Sequence, residues 1–404
     1  MCLQLIRSSQ LNKQPNNITN ELVHLGRDSV TNGRSVNLPV HQTSTILFNS
    51  LEEFEAARND RYEKGTLYYG RYGNPATFEL ENMISELEEG AGCVAVSSGL
   101  TACAVSLMTF ASAGSHILIA DTVYGPTRMF CENVLKAYGV TVTYFDPMIG
   151  TGIEQLVQEN TCVIFLEAPG SGTFEVPDIP AITKVAKDKG VTSIIDGTWS
   201  TPLFCKPLTL GVDVVVHSGS KYISGHSDAM LGFIVTTTEA QYNQARKMSL
   251  AFGDRAGAND VFLALRGVRT LEIRLKQHQE STLKIIDWLK AQPSVSRVLH
   301  PASPDCPGHE FWCRDFKGAA GLFSIELTNI PEQKVRNMIN SLSLFAIGLS
   351  WGGFESLILP VDPAAFRVAT EWKERGPLIR LNIGLENTQS LIDDLAAGFS
   401  HLNE

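Results

Sequence analysis

Between Val94 and Lys221 the chain alternates short β-branched runs with longer helical patterns, and few folds accommodate that alternation. Val94-Ala95-Val96-Ser97-Ser98-Gly99-Leu100 reads as a strand entering a turn of small residues, with a helix over 101–110 behind it. Further strands are predicted at 116–120, 140–145, 162–166, 191–195 and 212–216, with helices at 129–138 and 179–189 between them. Strands alternating with helices imply a mostly parallel sheet covered on both faces, an α/β architecture. The run Val212-Asp213-Val214-Val215-Val216 fits that sheet, since a strand buried on both faces needs no polar side. In such sheets ligands bind beyond the carboxyl ends of the strands. Gly99, Tyr124, Asp196 and Lys221 all lie just past such ends, so one pocket can hold all four.

On the N-terminal side, residues 1–72 read as an irregular arm with one short helix at 51–58. The arm ends in Tyr68-Tyr69-Gly70-Arg71-Tyr72-Gly73-Asn74-Pro75, where Asn74 can cap a helix and Pro75 suits its first position. Phe78, Met83, Ile84 and Leu87 then recur at helical spacing. A long helical pattern over 260–289 links to a second α/β unit, with strands at 321–327 and 378–383, a strand and turn at 345–351, and helices at 331–341 and 388–402. The expected organisation is an arm at 1–72, a large domain at 73–265 and a C-terminal domain at 266–404.

A net charge of −10 with no basic cluster argues against a nucleic-acid partner, because phosphate attraction needs clustered Lys and Arg. No run approaches the roughly 20 apolar residues of a membrane span. The apolar patch at residues 3–6 is too short for a signal-peptide core. The eight cysteines are scattered and none forms Cys-x-x-Cys, which predicts free thiols in a reducing, cytoplasmic compartment. Cys306, His309 and Cys313 lie close in sequence, but their spacing matches no zinc pattern, and they are read as unrelated loop residues with no metal.

Lysine at the mouth of a buried strand becomes a nucleophile when desolvation or a nearby cation lowers its pKa. Asp196 closes another apolar strand, where a carboxylate is costly unless it meets a cation. The protonated pyridine nitrogen of pyridoxal phosphate (PLP) supplies one, and its aldehyde would bond to Lys221. Gly99, Leu100, Ser218 and Ser220 would hold the phosphate through backbone N–H groups and hydroxyls, and Tyr124 could lie flat on the ring. Arg380, inside the apolar strand Leu378-Ile379-Arg380-Leu381, needs an anion; its planar fork suits an amino-acid α-carboxylate.

These residues together resemble the γ-subfamily of PLP enzymes of cysteine and methionine metabolism, from about His24 onward. The motifs are Tyr69-Gly70-Arg71 with Gly73-Asn74-Pro75, Ile195-Asp196-Gly197-Thr198-Trp199, and His217-Ser218-Gly219-Ser220-Lys221-Tyr222. Gly225-His226-Ser227-Asp228, His309-Glu310-Phe311-Trp312, Ser350-Trp351-Gly352-Gly353 and Leu378-Ile379-Arg380-Leu381 also match, the last three favouring the β-lyase branch. The resemblance implies an aspartate-aminotransferase-like fold (type I), a carbon–sulfur lyase acting on a sulfur amino acid, and a homotetramer of paired dimers. It also implies that Tyr69 and Arg71 reach the cofactor phosphate of a neighbouring subunit, that Ser350 and Trp351 border the substrate beside Arg380, and that Lys221 and Tyr124 are catalytic. Three departures from the family pattern are Gly197, where Asn is usual, Ser220, where Thr is frequent, and Tyr72, where the β-lyase branch can carry a second charged residue after the phosphate arginine.

Overall fold

A computed structural model of the chain describes residues 18–26, 34–373 and 376–403. The apolar patch at residues 3–6 lies outside them.

One sheet contains seven strands: β1 (Gly92–Val96), β2 (His116–Ala120), β3 (Thr141–Phe145), β4 (Thr161–Glu167), β5 (Thr192–Asp196), β6 (Val214–Ser218) and β7 (Gly232–Thr236). Their spatial order is β1-β7-β6-β5-β4-β2-β3. β2 to β6 pair in parallel, as expected, whereas β7 runs antiparallel to both of its neighbours. The sequence reading did not anticipate β7. An antiparallel return needs no helical crossover, so the strand–helix alternation that revealed the others is missing there.

Helices cover both faces of this sheet. Leu80 and Ile84 of the helix Pro75–Leu87 share a core with Leu118, Ile164, Ile195 and Val215. Val105 and Leu107 of the helix Gly99–Phe110 pack with Ile117, Val163, Ile194, Val214 and Val216 on the other side. Successive valines of β6 therefore point into opposite cores, and the unbroken apolar run follows from that. Asn74 caps the helix Pro75–Leu87 by accepting from Thr77 N at 3.0 Å, as its sequence position suggested.

The second sheet contains β8 (Val295–Leu299), β9 (Leu322–Leu327), β10 (Ala346–Ile347), β11 (Leu357–Val361) and β12 (Leu378–Asn382), in the order β10-β11-β12-β9-β8. It is antiparallel except for the β10–β11 pair. The segment 345–351 is mostly turn, with only Ala346 and Ile347 in a strand. β8 and β11 were not anticipated. Pro360 in β11 argues against a central strand; it is tolerated because β10 pairs only with Leu357 and Ile358, which leaves an open edge beyond.

Two helical expectations are corrected. The pattern over 260–289 is two helices, Ala258–Val268 and Leu271–Lys290. Buried Arg274 donates to the carbonyl of Gly267 at 2.8 Å, which also accepts from Thr270 N at 3.1 Å, and this stabilises the break. The helix expected over 129–138 begins earlier, at Gly125, and passes at Cys131 into a wider π turn ending at Leu135. Nor do Cys306, His309 and Cys313 share a loop. His309 starts the helix His309–Asp315, Cys313 lies within it, and Cys306 is buried and donates to Phe174 O at 3.3 Å. Among the described residues, no helix is long and apolar enough to cross a membrane, and the seven cysteines are free.

Candidate active site

Lys221 leaves the end of β6 in a tight turn. Its amine donates to Ser350 Oγ at 2.6 Å and stands 5.3 Å from the centre of the Trp351 ring. Burial pushes its pKa down to about 8, and the Arg380 charge acts in the same direction; Asp196 and Glu355 oppose them. The backbone behind it is fixed from below by Arg274, which donates to Tyr222 O at 2.7 Å. Gly225 adopts φ +70° where a Cβ would overlap the Arg274 guanidinium, so both conformation and space require glycine there.

Asp196 ends β5, in register with Glu167 at the end of β4. Its Oδ1 accepts from Thr198 N at 2.9 Å and from the Thr198 hydroxyl, and Cys103 Sγ donates to Oδ2 at 3.8 Å. Burial raises the Asp196 pKa, with the Thr198 bonds working against it. A cation at Oδ2 would offset the desolvation and keep the acid ionised. Thr198 Oγ1 also accepts from Ser218 N at 2.8 Å, which locks the end of β5 to the end of β6.

The helix Gly99–Phe110 starts beside Ser218. Ser98 caps it, accepting from Thr101 N at 3.1 Å, so the helix begins two residues earlier than its pattern suggested. Gly99 and Leu100 occupy the first two helical positions, whose N–H groups have no intrahelical acceptor and point outward at the positive end of the helix dipole. A Cβ on Gly99 would come within 2.5 Å of Ser218 Cβ. Glycine there lets the helix end and the β6 end close into one anion cradle. Gly99→Ala is expected to weaken phosphate-ester binding at least ~10-fold, because overpacking forces this close contact apart; titration of the cofactor-free protein with PLP measures it. Ser220, by contrast, has its hydroxyl tied to Leu231, accepting from Leu231 N at 3.0 Å and donating to Leu231 O at 3.2 Å.

Tyr124 lies past the end of β2 and is 42% exposed. Burial of the hydroxyl end raises its pKa, and the acids Cys103, Asp196 and Glu167 add to the rise. Its backbone N–H donates to Glu167 Oε2 at 2.6 Å. Arg380 donates to Leu349 O at 2.8 Å and to Ser350 O at 3.3 Å, so it supports the turn that carries Ser350 and Trp351. Thus Lys221, Asp196, Tyr124, Ser350, Trp351 and Arg380 gather in one place, with the Gly99–Ser218 cradle adjoining. Tyr69 and Arg71 sit elsewhere in the chain. Arg71 donates to Leu250 O at 2.9 Å, and Tyr69 is 42% exposed on a surface with Phe48, Phe54 and Tyr68.

The family model described as Cys/Met metabolism PLP-dependent enzyme matches residues 19–400. The chain belongs to that family. A cystathionine beta-lyase of Haemophilus influenzae is 43% identical, with 94% of this chain and 97% of that protein covered. A cystathionine beta-lyase of Escherichia coli is 42% identical over 95% of this chain and 98% of its own length. The crystal structure of a cystathionine gamma-lyase from Lactobacillus plantarum, complexed with L-serine, superposes with a TM-score of 0.85 at 31% identity, covering 96% of this chain and all of that one. As a member of this family the chain has fold type I and is PLP-dependent.

The site fits that cofactor on three independent counts. There is a half-buried amine of lowered pKa for the aldehyde, a carboxylate of raised pKa at the end of β5 for the pyridine nitrogen, and a cradle that a single Cβ would fill for the phosphate. The sequence reading passed over Glu167, Thr198 and Cys103. Glu167 carried the same signal as Asp196, a carboxylate closing an apolar strand. Thr198 follows Asp196 at the spacing of a local side-chain turn. Cys103 carried no signal, since its contact depends on the helix crossing over β5.

Proposed function

We propose that the chain β-eliminates L-cystathionine, giving homocysteine, pyruvate and ammonia. The reading is carried by Arg380 and Lys221 converging on Ser350: the guanidinium reaches its carbonyl at 3.3 Å and the amine its hydroxyl at 2.6 Å. An amino acid held there by its α-carboxylate presents its Cα to the amine. The names of the two bacterial relatives support cystathionine as substrate.

Bound PLP supplies an electron sink that acidifies the Cα proton of an attached amino acid. Lys221 would take that proton, since an amine of pKa about 8 is a competent base near neutral pH. Asp196 would hold the ring nitrogen protonated, and Thr198 would hold Asp196. Arg380 would turn from the 349–350 carbonyls to the substrate carboxylate and fix which bond faces Lys221. Tyr124, whose raised pKa keeps the phenol protonated, would cover the ring and donate a proton to the departing thiolate together with Lys221. Tyr69 and Arg71, the latter donating to Leu250 O in its own chain, would complete the phosphate site of a neighbouring copy in a homotetramer built from paired dimers. The free thiols accord with a cytoplasmic setting.

Product identification tests the reading: pyruvate from cystathionine is expected, and 2-oxobutyrate instead would show γ-elimination. The γ-lyase likeness keeps that second reading in view. Arg380→Ala is expected to raise KM for cystathionine by about 10²-fold, the scale of a lost charge-assisted bidentate contact, with a smaller change in kcat. An unchanged KM would remove Arg380 as the carboxylate anchor.

A further inference from the structure

Two loops meet directly above Lys221. One is the turn Ser350-Trp351-Gly352-Gly353, which supplies the hydroxyl and the indole that contact the amine. The other is Gly225-His226-Ser227-Asp228, which follows Lys221 in the chain. Glu355 joins them. Its Oε1 accepts from Ser227 Oγ at 2.6 Å across a sequence separation of 128 residues. Its Oε2 is buried with no hydrogen-bond partner.

Three further features show that the contact is built rather than incidental. Ser227 adopts φ +56°, an unusual conformation for a residue with a side chain, and this orients its hydroxyl toward the carboxylate. Gly353 lies beneath both partners, and a Cβ there would overlap Ser227 Oγ and Glu355 Oε2. The Glu355 carbonyl accepts from Asn382 Nδ2 at 2.9 Å, while Asn382 Oδ1 accepts from Gly352 N at 3.1 Å, so the base of the turn is anchored to β12. The turn is thus pinned to the second sheet below; toward the segment after Lys221 it packs through the Trp351 ring, 5.5 Å from that of Tyr222, and the Glu355–Ser227 bond ties it to the 225–228 loop.

We propose that Glu355 is a positioning residue whose carboxylate latches the Ser350–Gly353 turn to Ser227, so that the Lys221 amine, the Ser350 hydroxyl and the Trp351 ring keep one mutual geometry. The kinetic part rests on the cystathionine reading above; the latch itself does not. The charged groups that face Lys221 are Arg380, Asp196 and Glu355, so the test separates the loss of the tie from the loss of a charge.

The test uses the purified holoenzyme and the variants Glu355→Ala, Ser227→Ala, their double mutant, and Glu355→Gln. Amide hydrogen exchange of residues 350–353 and the kcat and KM for cystathionine are measured on each. Each alanine variant is expected to speed exchange in that segment about tenfold and to lower kcat about tenfold or more, with KM changed less, because small misplacements of reacting groups are costly. The double mutant should be no worse than the more affected single one, since both changes break the same contact. Glu355→Gln keeps an oxygen for Ser227 and should stay within about threefold of wild type in both measurements. Unchanged exchange in both single variants overturns the latch, as do losses that multiply in the double mutant or a glutamine variant as impaired as alanine. If wild type leaves cystathionine intact, the reading of substrate fails while the exchange data still decide the latch.

Discussion

Lys221→Ala lowers turnover of cystathionine by about 10³-fold or more and abolishes borohydride-stable attachment of PLP to the chain. Both effects would follow from one amine serving as covalent anchor and as base, the roles proposed for it. The neighbours that hold the amine, the Ser350 hydroxyl and the Trp351 indole, offer no basic amine with which to replace it. A pH measurement on cofactor-free protein goes with this prediction. The neutral amine is the form that attacks an aldehyde, so attachment at Lys221 should rise with pH and level off above about 8, well below the range of an exposed lysine. A variant with near-normal turnover would remove Lys221 from both roles, and a wild-type profile still climbing near pH 10 would show that its surroundings do not lower its pKa.

Asp196→Asn is expected to cost about 10²–10³-fold in kcat while the chain stays folded. Asparagine keeps an oxygen to accept from Thr198, so the local turn persists. The charge that would face the ring nitrogen is lost, and removing one member of a buried charge pair costs about 3–5 kcal/mol. Full activity in the Asn variant would show that the ring nitrogen does not depend on Asp196. Cofactor affinity, measured by equilibrium dialysis, should fall in parallel, and an unchanged affinity alongside a lowered kcat would confine the role of Asp196 to the chemical step.

Much of this site was legible because it sits where sheet topology puts it. Asp196 and Lys221 were visible as charged residues closing apolar strands, and the parallel order of β4, β5 and β6 then brings them together. Arg380 was visible as a cation within an apolar strand, although its present contacts, the carbonyls of 349 and 350, were not. The remaining features depended on contacts between distant segments. Cys103 reaches Asp196 only because a helix crosses β5, and Glu355 finds Ser227 only because two loops converge. Neither spacing nor hydrophobic pattern records such meetings. Ser220 shows the reverse: its hydroxyl suited a phosphate, but the lead-in to β7, a strand the alternation concealed, takes it up.

β7 also orders events during synthesis of the chain. It lies between β1 and β6, and Gly232 at its start abuts Ser98 and pairs with both Val96 and Ser218. The Gly99 helix end and the Ser218 strand end are therefore neighbours only after residues 232–236 have been made and inserted between their strands. A nascent polypeptide that has emerged only as far as Lys221 carries the lysine but neither the neighbours that lower its pKa nor an assembled seat for a phosphate. Vitamin capture must then follow closure of the sheet, and a ribosome-bound intermediate stalled short of β7 should stay colourless when the coenzyme is supplied.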